Sequence, residues 1–236
     1  MSSAADLKVK IFADGADKAG MFEMYRNPLI KGFTTNPTLM RKAGVGNYAC
    51  FAKEVLSGIP DRPISFEVFS DDFADMERQA MEIASWGDNV YVKIPVTDTK
   101  RNSACELIGR LSKSGVKLNV TAMMTLDQVR QVAEQLQAPS CISVFAGRIA
   151  DTGRDPIPIM QEAVQILADA PHIELIWASP RELLNIFQAD AVGCHIITAT
   201  NDILKKLSLV GMDLDDYSLD TVKMFFNDGQ QAGYEL

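Results

Sequence analysis

Strand-like and helix-like segments alternate along the whole of this 236-residue chain, and few architectures accept eight such repeats in that length. Lys8 to Asp14 reads as a first strand, followed by a helix over 16–26. Gly32 to Pro37 is a second short strand ended by its proline, with a helical stretch through Tyr48 to Ser57 behind it. Pro63 to Phe69 is the third. Asp71 and Asp72 then open a helix with apolar residues at Phe73, Met76, Ala80, Ile83 and Ala84. The fourth strand, Asn89 to Val96, leads to a helix over Ser103 to Ser114, stopped by Gly115. Val116 to Met123 is the fifth, with a helix from Leu126 to Leu136 behind the cap Thr125.

Cys141 to Ala146 is the sixth strand, with a helix from Pro156 to Ala170. Ile173 to Ala178 is the seventh, with a helix starting at Pro180, a residue suited to a first helical turn. Ala191 to Thr198 is the eighth, followed by a short helix near Asn201 to Leu207. Thr221 to Phe226 belongs to a further C-terminal helix, an extension of about 214–236. Eight repeats of this kind predict an α/β fold, a single (β/α)8 barrel domain over 1–236 with an additional C-terminal helix. A doubly wound open sheet is the main rival, but it usually has fewer strands. The chain also has no Gly-x-Gly-x-x-Gly after its first strand and no Gly-Lys-Ser/Thr phosphate loop.

In such a barrel, residues two apart on a strand share a face. Lys93 lies in Asn89-Val90-Tyr91-Val92-Lys93-Ile94-Pro95-Val96, an apolar stretch in which Val92 and Ile94 suit the helix side. That turns Lys93 inward, where desolvation disfavours the ammonium and leaves an amine able to attack a carbonyl. A lone strand lysine is more simply read as an edge residue snorkelling to water. Its company argues otherwise. The same alternation sends Glu67, Asn119, Thr121, Ser143, Phe145 and Asp14 inward on their strands, and Thr34 and Asn36 share one face. Any one of these could be a satisfied core polar group, but together, near the strand ends where barrel sites form, they call for a polar ligand. Arg148 and Arg181 follow the sixth and seventh strands, where barrels often bind phosphate and guanidinium groups grip it.

Composition removes several classes. A net charge of −8 argues against a nucleic-acid or anionic-membrane surface, though not against a small phosphate pocket. Cys50, Cys105, Cys141 and Cys194 are widely spaced and His172 and His195 are the only histidines, so no zinc constellation forms. Buried free thiols are the expectation. The N-terminus lacks the basic and apolar regions of a signal peptide and no apolar run spans a bilayer, so a cytoplasmic protein is expected.

Gly32-Phe33-Thr34-Thr35-Asn36-Pro37-Thr38 together with Val92-Lys93-Ile94-Pro95-Val96 resembles the transaldolase family, in its short, barrel-only branch. The resemblance runs in consistent order from Asp14 to about Arg181. It implies that Lys93 is the Schiff-base lysine and that Asp14 takes the proton of the sugar C4 hydroxyl. It implies that Glu67 and Thr121, through a shared water, dehydrate the carbinolamine. Thr34, Asn36, Asn119 and Ser143 would hold a dihydroxyacetone fragment against Phe145, and Arg148, Ser179 and Arg181 would clamp the phosphate. The implied reaction transfers dihydroxyacetone from sedoheptulose 7-phosphate to glyceraldehyde 3-phosphate, in the non-oxidative pentose phosphate pathway. No cofactor is implied, and a homo-oligomer is expected. The alternative is a fructose-6-phosphate aldolase, a lyase that releases dihydroxyacetone. Those relatives carry glutamine at the place of Glu67 and lack the asparagine of Asn119, so at both positions this chain sides with the transferases. It departs from many relatives in reading Ser143-Val144-Phe145 without a central proline.

Overall fold

A computed structural model describes residues 6–234. Eight strands, β1 (Lys10–Asp14), β2 (Ile30–Thr34), β3 (Ile64–Glu67), β4 (Val90–Pro95), β5 (Leu118–Met123), β6 (Ser140–Val144), β7 (Ile173–Trp177) and β8 (Ile196–Thr200), pair in parallel and in chain order. β8 returns to β1 with Phe12 opposite Thr198 and Asp14 opposite Thr200, which closes the barrel. The fold is therefore the (β/α)8 barrel that the alternation predicts.

The wall forms because β-branched and aromatic residues alternate with smaller or polar ones. Val90, Val92 and Ile94 of β4, Ile64 and Phe66 of β3, and Leu118 and Val120 of β5 are buried under the helical layer. That layer begins with α1 (Lys18–Tyr25), α2 (Pro37–Lys42), α3 (Tyr48–Gly58), α4 (Phe73–Ala84), α5 (Cys105–Lys113) and α6 (Leu126–Ala133). It continues with α7 (Ala146–Ala150), α8 (Ile157–Ile166), α9 (Leu184–Ala191) and α10 (Asn201–Leu204), then a 3-10 turn at Lys205–Leu209. Capping sets several of the starts. Asp72 accepts from Asp75 N, and Thr125 and Gln128 form a reciprocal capping box on α6.

Inside the barrel, Phe12, Tyr91, Cys141, Ile176 and Ile196 form an apolar plug. The Phe12 ring needs a glycine opposite it: a Cβ on Gly32 would stand 2.5 Å from Phe12 Cζ.

Some expectations need correction. Pro180 does not begin a helix; α9 starts only at Leu184. The backbone N–H groups of Arg181 and Glu182 are both taken by Asn185 Oδ1, and Ser179 sits at φ +61°, so the segment is held as a loop. The eighth strand does not begin at Ala191, which ends α9. Gly193 at φ +76° turns the chain first, and the strand starts at Ile196. The hydrophobic pattern does not reveal the one-turn helices α2 and α7, which are too short for a 3.6-residue periodicity to show. The thiols are not uniformly buried: Cys141 and Cys194 are, Cys105 is half-buried and Cys50 is exposed.

The extension forms α11 (Leu214–Ala232), capped by Asp213 and ended by Gly233 at φ +65°; residues 235–236 of the expected span lie outside the described residues. Among the described residues, no helix is long and apolar enough to cross a membrane.

Candidate active site

The polar residues meet at the C-terminal ends of the strands, in a pocket of about 490 Å³. Size does not distinguish it, since a cleft between the start of α1 and α3 holds about 520 Å³. Chemistry does. The pocket collects Asp14, Thr34, Asn36, Glu67, Lys93, Asn119, Thr121, Ser143, Phe145, Arg148, Ser179 and Arg181, which is every candidate residue from the sequence.

Lys93 lies at its floor, only 6% exposed. Register explains its neighbours: Glu67 on β3 and Asn119 on β5 are its direct partners across the ladder and point to the same side. Glu67 Oε2 is 3.2 Å from Lys93 Nζ, and the ammonium also donates to the Thr35 carbonyl at 2.8 Å. A buried ion pair of this kind contributes little net stability, because desolvating both ions offsets their attraction. Its presence asks for a reason other than folding.

Asp14 ends β1. Its carboxylate accepts from Thr34 Oγ1 at 2.8 Å and from Asn36 Nδ2 at 3.5 Å. Thr34 Oγ1 in turn lies 2.5 Å from Thr198 Oγ1. Burial pushes the Asp14 carboxyl above its ordinary range, against the opposing pull of the Lys93 cation and the Thr34 hydrogen bond. Asn36 also caps α2 through Oδ1, which accepts from Leu39 N at 3.0 Å, so only its amide nitrogen faces Asp14.

Asn119, fully buried, is fixed at both ends. Its Nδ2 donates to Ser65 Oγ at 3.0 Å, and Ser143 Oγ donates to its Oδ1 at 2.7 Å. Thr121 Oγ1, also buried, has no protein hydrogen-bond partner among the described residues. An unpaired buried hydroxyl costs roughly 1–3 kcal/mol, so it is best explained by a polar group arriving from the pocket.

The arginines stand apart at the rim. Arg148 lies on α7 with its guanidinium carbon 5.8 Å from the centre of the Phe145 ring. Arg181 donates through Nε to Asp151 Oδ1 at 2.8 Å, through Nη2 to Asp151 Oδ2, and through Nη1 to Ser179 Oγ at 3.1 Å. Those contacts use three of its five N–H donors and leave two. The Arg181 guanidinium holds Asp151 below the usual carboxylate range. The two strand ends touch closely: a Cβ on Gly147 would fall 1.6 Å from the Ser179 carbonyl oxygen, so only glycine fits there.

Sequence reasoning missed Thr198, Ser65 and Asp151. Thr198 is two residues beyond Ile196 on the inward face and lies within the expected eighth strand, so the alternation applied to that strand would have shown it. Asp151 carried no sequence signal. Among the described residues, no group of three or more His, Cys, Asp or Glu side chains could hold a metal ion.

Fold and site together define a (β/α)8 barrel with a buried, carboxylate-paired lysine at its mouth. The family model described as Transaldolase/Fructose-6-phosphate aldolase matches residues 11–235. The chain is 33% identical over 229 residues to a probable transaldolase of Thermoanaerobacter sp. (strain X514), covering 97% of this chain and all of the relative. It is 32% identical over 200 residues to a probable transaldolase of Dehalococcoides mccartyi, covering 84% of this chain and 90% of that one. A probable transaldolase of Methanococcus maripaludis is 34% identical over 200 residues, covering 84% and 89%. The chain belongs to the transaldolase/fructose-6-phosphate aldolase family, and its relatives' names mark an enzyme of the transaldolase type.

Proposed function

We propose that this protein is a transaldolase that moves a dihydroxyacetone unit from sedoheptulose 7-phosphate to glyceraldehyde 3-phosphate through a Schiff base on Lys93. The observation that carries this reading is the buried Lys93 amine 3.2 Å from the Glu67 carboxylate. Lys93 passes its extra proton to Glu67, and the free amine adds to the C2 carbonyl of the ketose. Glu67, with a water held by the unpaired Thr121 hydroxyl, delivers the proton that lets the carbinolamine lose water. The iminium then accepts the electron pair released when Asp14 removes the C4 hydroxyl proton and the C3–C4 bond breaks. A carboxylate whose pKa burial has raised is a stronger base for that step. Asn119 and Ser143 stand ready for the fragment's hydroxyl groups, while Arg148 and the two remaining N–H groups of Arg181 receive the phosphate.

The enzyme works on sugar phosphates in the non-oxidative pentose phosphate pathway, in the cytoplasm. It also works as a homo-oligomer: α11 has no buried residue and exposes Leu214, Val222, Phe225 and Phe226, a surface that a second copy would cover. The test is product analysis with fructose 6-phosphate, with and without erythrose 4-phosphate as acceptor. Transfer exceeding release of free dihydroxyacetone supports the transaldolase; release exceeding transfer makes the protein the lyase that its family also contains. Glu67→Gln keeps the shape but loses the titratable proton, and should shift the balance toward release several-fold. Parallel loss of both activities would give Glu67 no part in that partition.

A further inference from the structure

The ladder between β2 and β3 carries an exchange of partners next to Lys93. Phe33 N donates to Pro63 O at 2.8 Å and Thr35 N to Ser65 O at 3.1 Å, the even spacing of a parallel pair. The next rung of that register would run from Glu67 N to the Thr35 carbonyl. It does not form. The Thr35 carbonyl accepts from Lys93 Nζ at 2.8 Å instead, and Glu67 N donates at 2.7 Å to the hydroxyl of Tyr48 on α3. The same hydroxyl donates to the Glu67 carbonyl at 3.1 Å. Tyr48 thus closes both main-chain groups of the residue whose side chain faces the lysine.

We infer that Tyr48 is a positioning residue for the Lys93–Glu67 pair: by taking the Glu67 N–H, it keeps the Thr35 carbonyl free to orient the reactive amine. A buried N–H left without a partner costs roughly 1–3 kcal/mol and would seek the nearest acceptor. In the absence of the hydroxyl, Thr35 O is the acceptor that the ladder register offers, and the Glu67 N–H competes with Lys93 for it. The ring is set for the task by packing. Its centroid is 4.5 Å from Phe69, 5.6 Å from Trp86 and 6.1 Å from Phe66. Burial raises the phenol's pKa, so the hydroxyl keeps the proton it gives to the Glu67 carbonyl.

The effect on turnover rests on the Schiff-base reading; the exchange of hydrogen-bond partners does not. Tyr48→Phe retains the ring and removes only the hydroxyl. Its kcat should fall roughly tenfold while KM for the phosphorylated donor stays within about twofold, as expected when a reacting group is misplaced but binding is untouched. A crystal structure of the variant should show Glu67 N on Thr35 O and Lys93 Nζ withdrawn from it. Tyr48→Leu, which also removes the ring, should lose no more kcat than Tyr48→Phe, although its Tm should be lower. Wild-type kcat in Tyr48→Phe, with loss only in Tyr48→Leu, would make Tyr48 a packing residue and overturn the inference. So would a variant crystal structure in which Lys93 still binds Thr35 O. If wild-type protein formed no reducible adduct on Lys93, the Schiff-base reading would fall, while the crystal structure would still decide the exchange.

Discussion

Two layers of the barrel interior, one step apart on the same strands, have opposite characters. Phe12, Tyr91, Cys141 and Ile196 belong to the apolar plug. Two residues further along the same four strands stand Asp14, Lys93, Ser143 and Thr198, all lining the pocket. Both layers point inward, by the same alternation, from the same wall. The plug is what stability selects, since burying apolar side chains releases water at no electrostatic cost. The upper layer carries an ion pair, a carboxyl whose ionisation burial opposes, and a hydroxyl without a protein partner among the described residues. Each of these is neutral or unfavourable for folding. The plug holds the barrel, and under the proposed function the layer above it holds the chemistry.

Substitutions should separate the two layers. Lys93→Met should abolish transfer, by a factor on the order of 10⁴ or more, because the other amine lining the pocket, Lys42, lies on α2 and outside the buried Lys93–Glu67 pair. Steady-state kinetics on folded protein checks it. Ile176→Ala, at a fully buried residue of the plug, should cost about 2–5 kcal/mol in denaturant unfolding and leave kcat/KM within about twofold at a temperature where the variant is folded. A large kinetic loss there would erase the distinction between the layers.

Arg181→Ala should raise KM for phosphorylated sugars about 10²-fold, the loss of one or two charge-assisted hydrogen bonds at roughly 1.5–3 kcal/mol each, and affect dihydroxyacetone itself much less. Equal losses with both donors would place the arginine in the chemistry. The smallest effect is electrostatic. The Asp14 carboxyl should titrate above its ordinary range, so that activity falls as the pH drops through that value and the base becomes protonated. Lys93→Met removes the cation that opposes the shift. Asp14 should then titrate higher still, read by carbon-detected NMR of the carboxyl, and an unchanged or lower value would contradict the geometry.

Much of this was legible in the chain. Val90-Tyr91-Val92-Lys93-Ile94 and Ile64-Ser65-Phe66-Glu67 alternate so strictly that the pattern alone assigns their inward residues. Asp14, Thr34, Glu67, Lys93, Asn119, Thr121 and Ser143 line one pocket for that reason, and Asn36, Phe145, Arg148, Ser179 and Arg181 join it from just beyond the strand ends. What failed was set by tertiary contacts or by brief local turns. Pro180 looked like a helix start, but Asn185 and Ser179 hold its neighbourhood in a loop. The eighth strand looked longer because Ala191-Val192 is as apolar as a strand, and only Gly193 marks the turn. The grip of Asp151 on Arg181 and of Tyr48 on Glu67 joins residues 30 and 19 positions apart across different elements. No periodicity carries that information.

Under the proposed function, the upper layer serves to make Lys93 a nucleophile. Treating the protein with fructose 6-phosphate and borohydride, then digesting it and sequencing by mass spectrometry, decides whether it does. One reduced dihydroxyacetone adduct is expected, on Lys93, in a peptide that stays unmodified when Lys93 is replaced by methionine. An adduct on any other lysine, or none under conditions where the enzyme turns over, would contradict it.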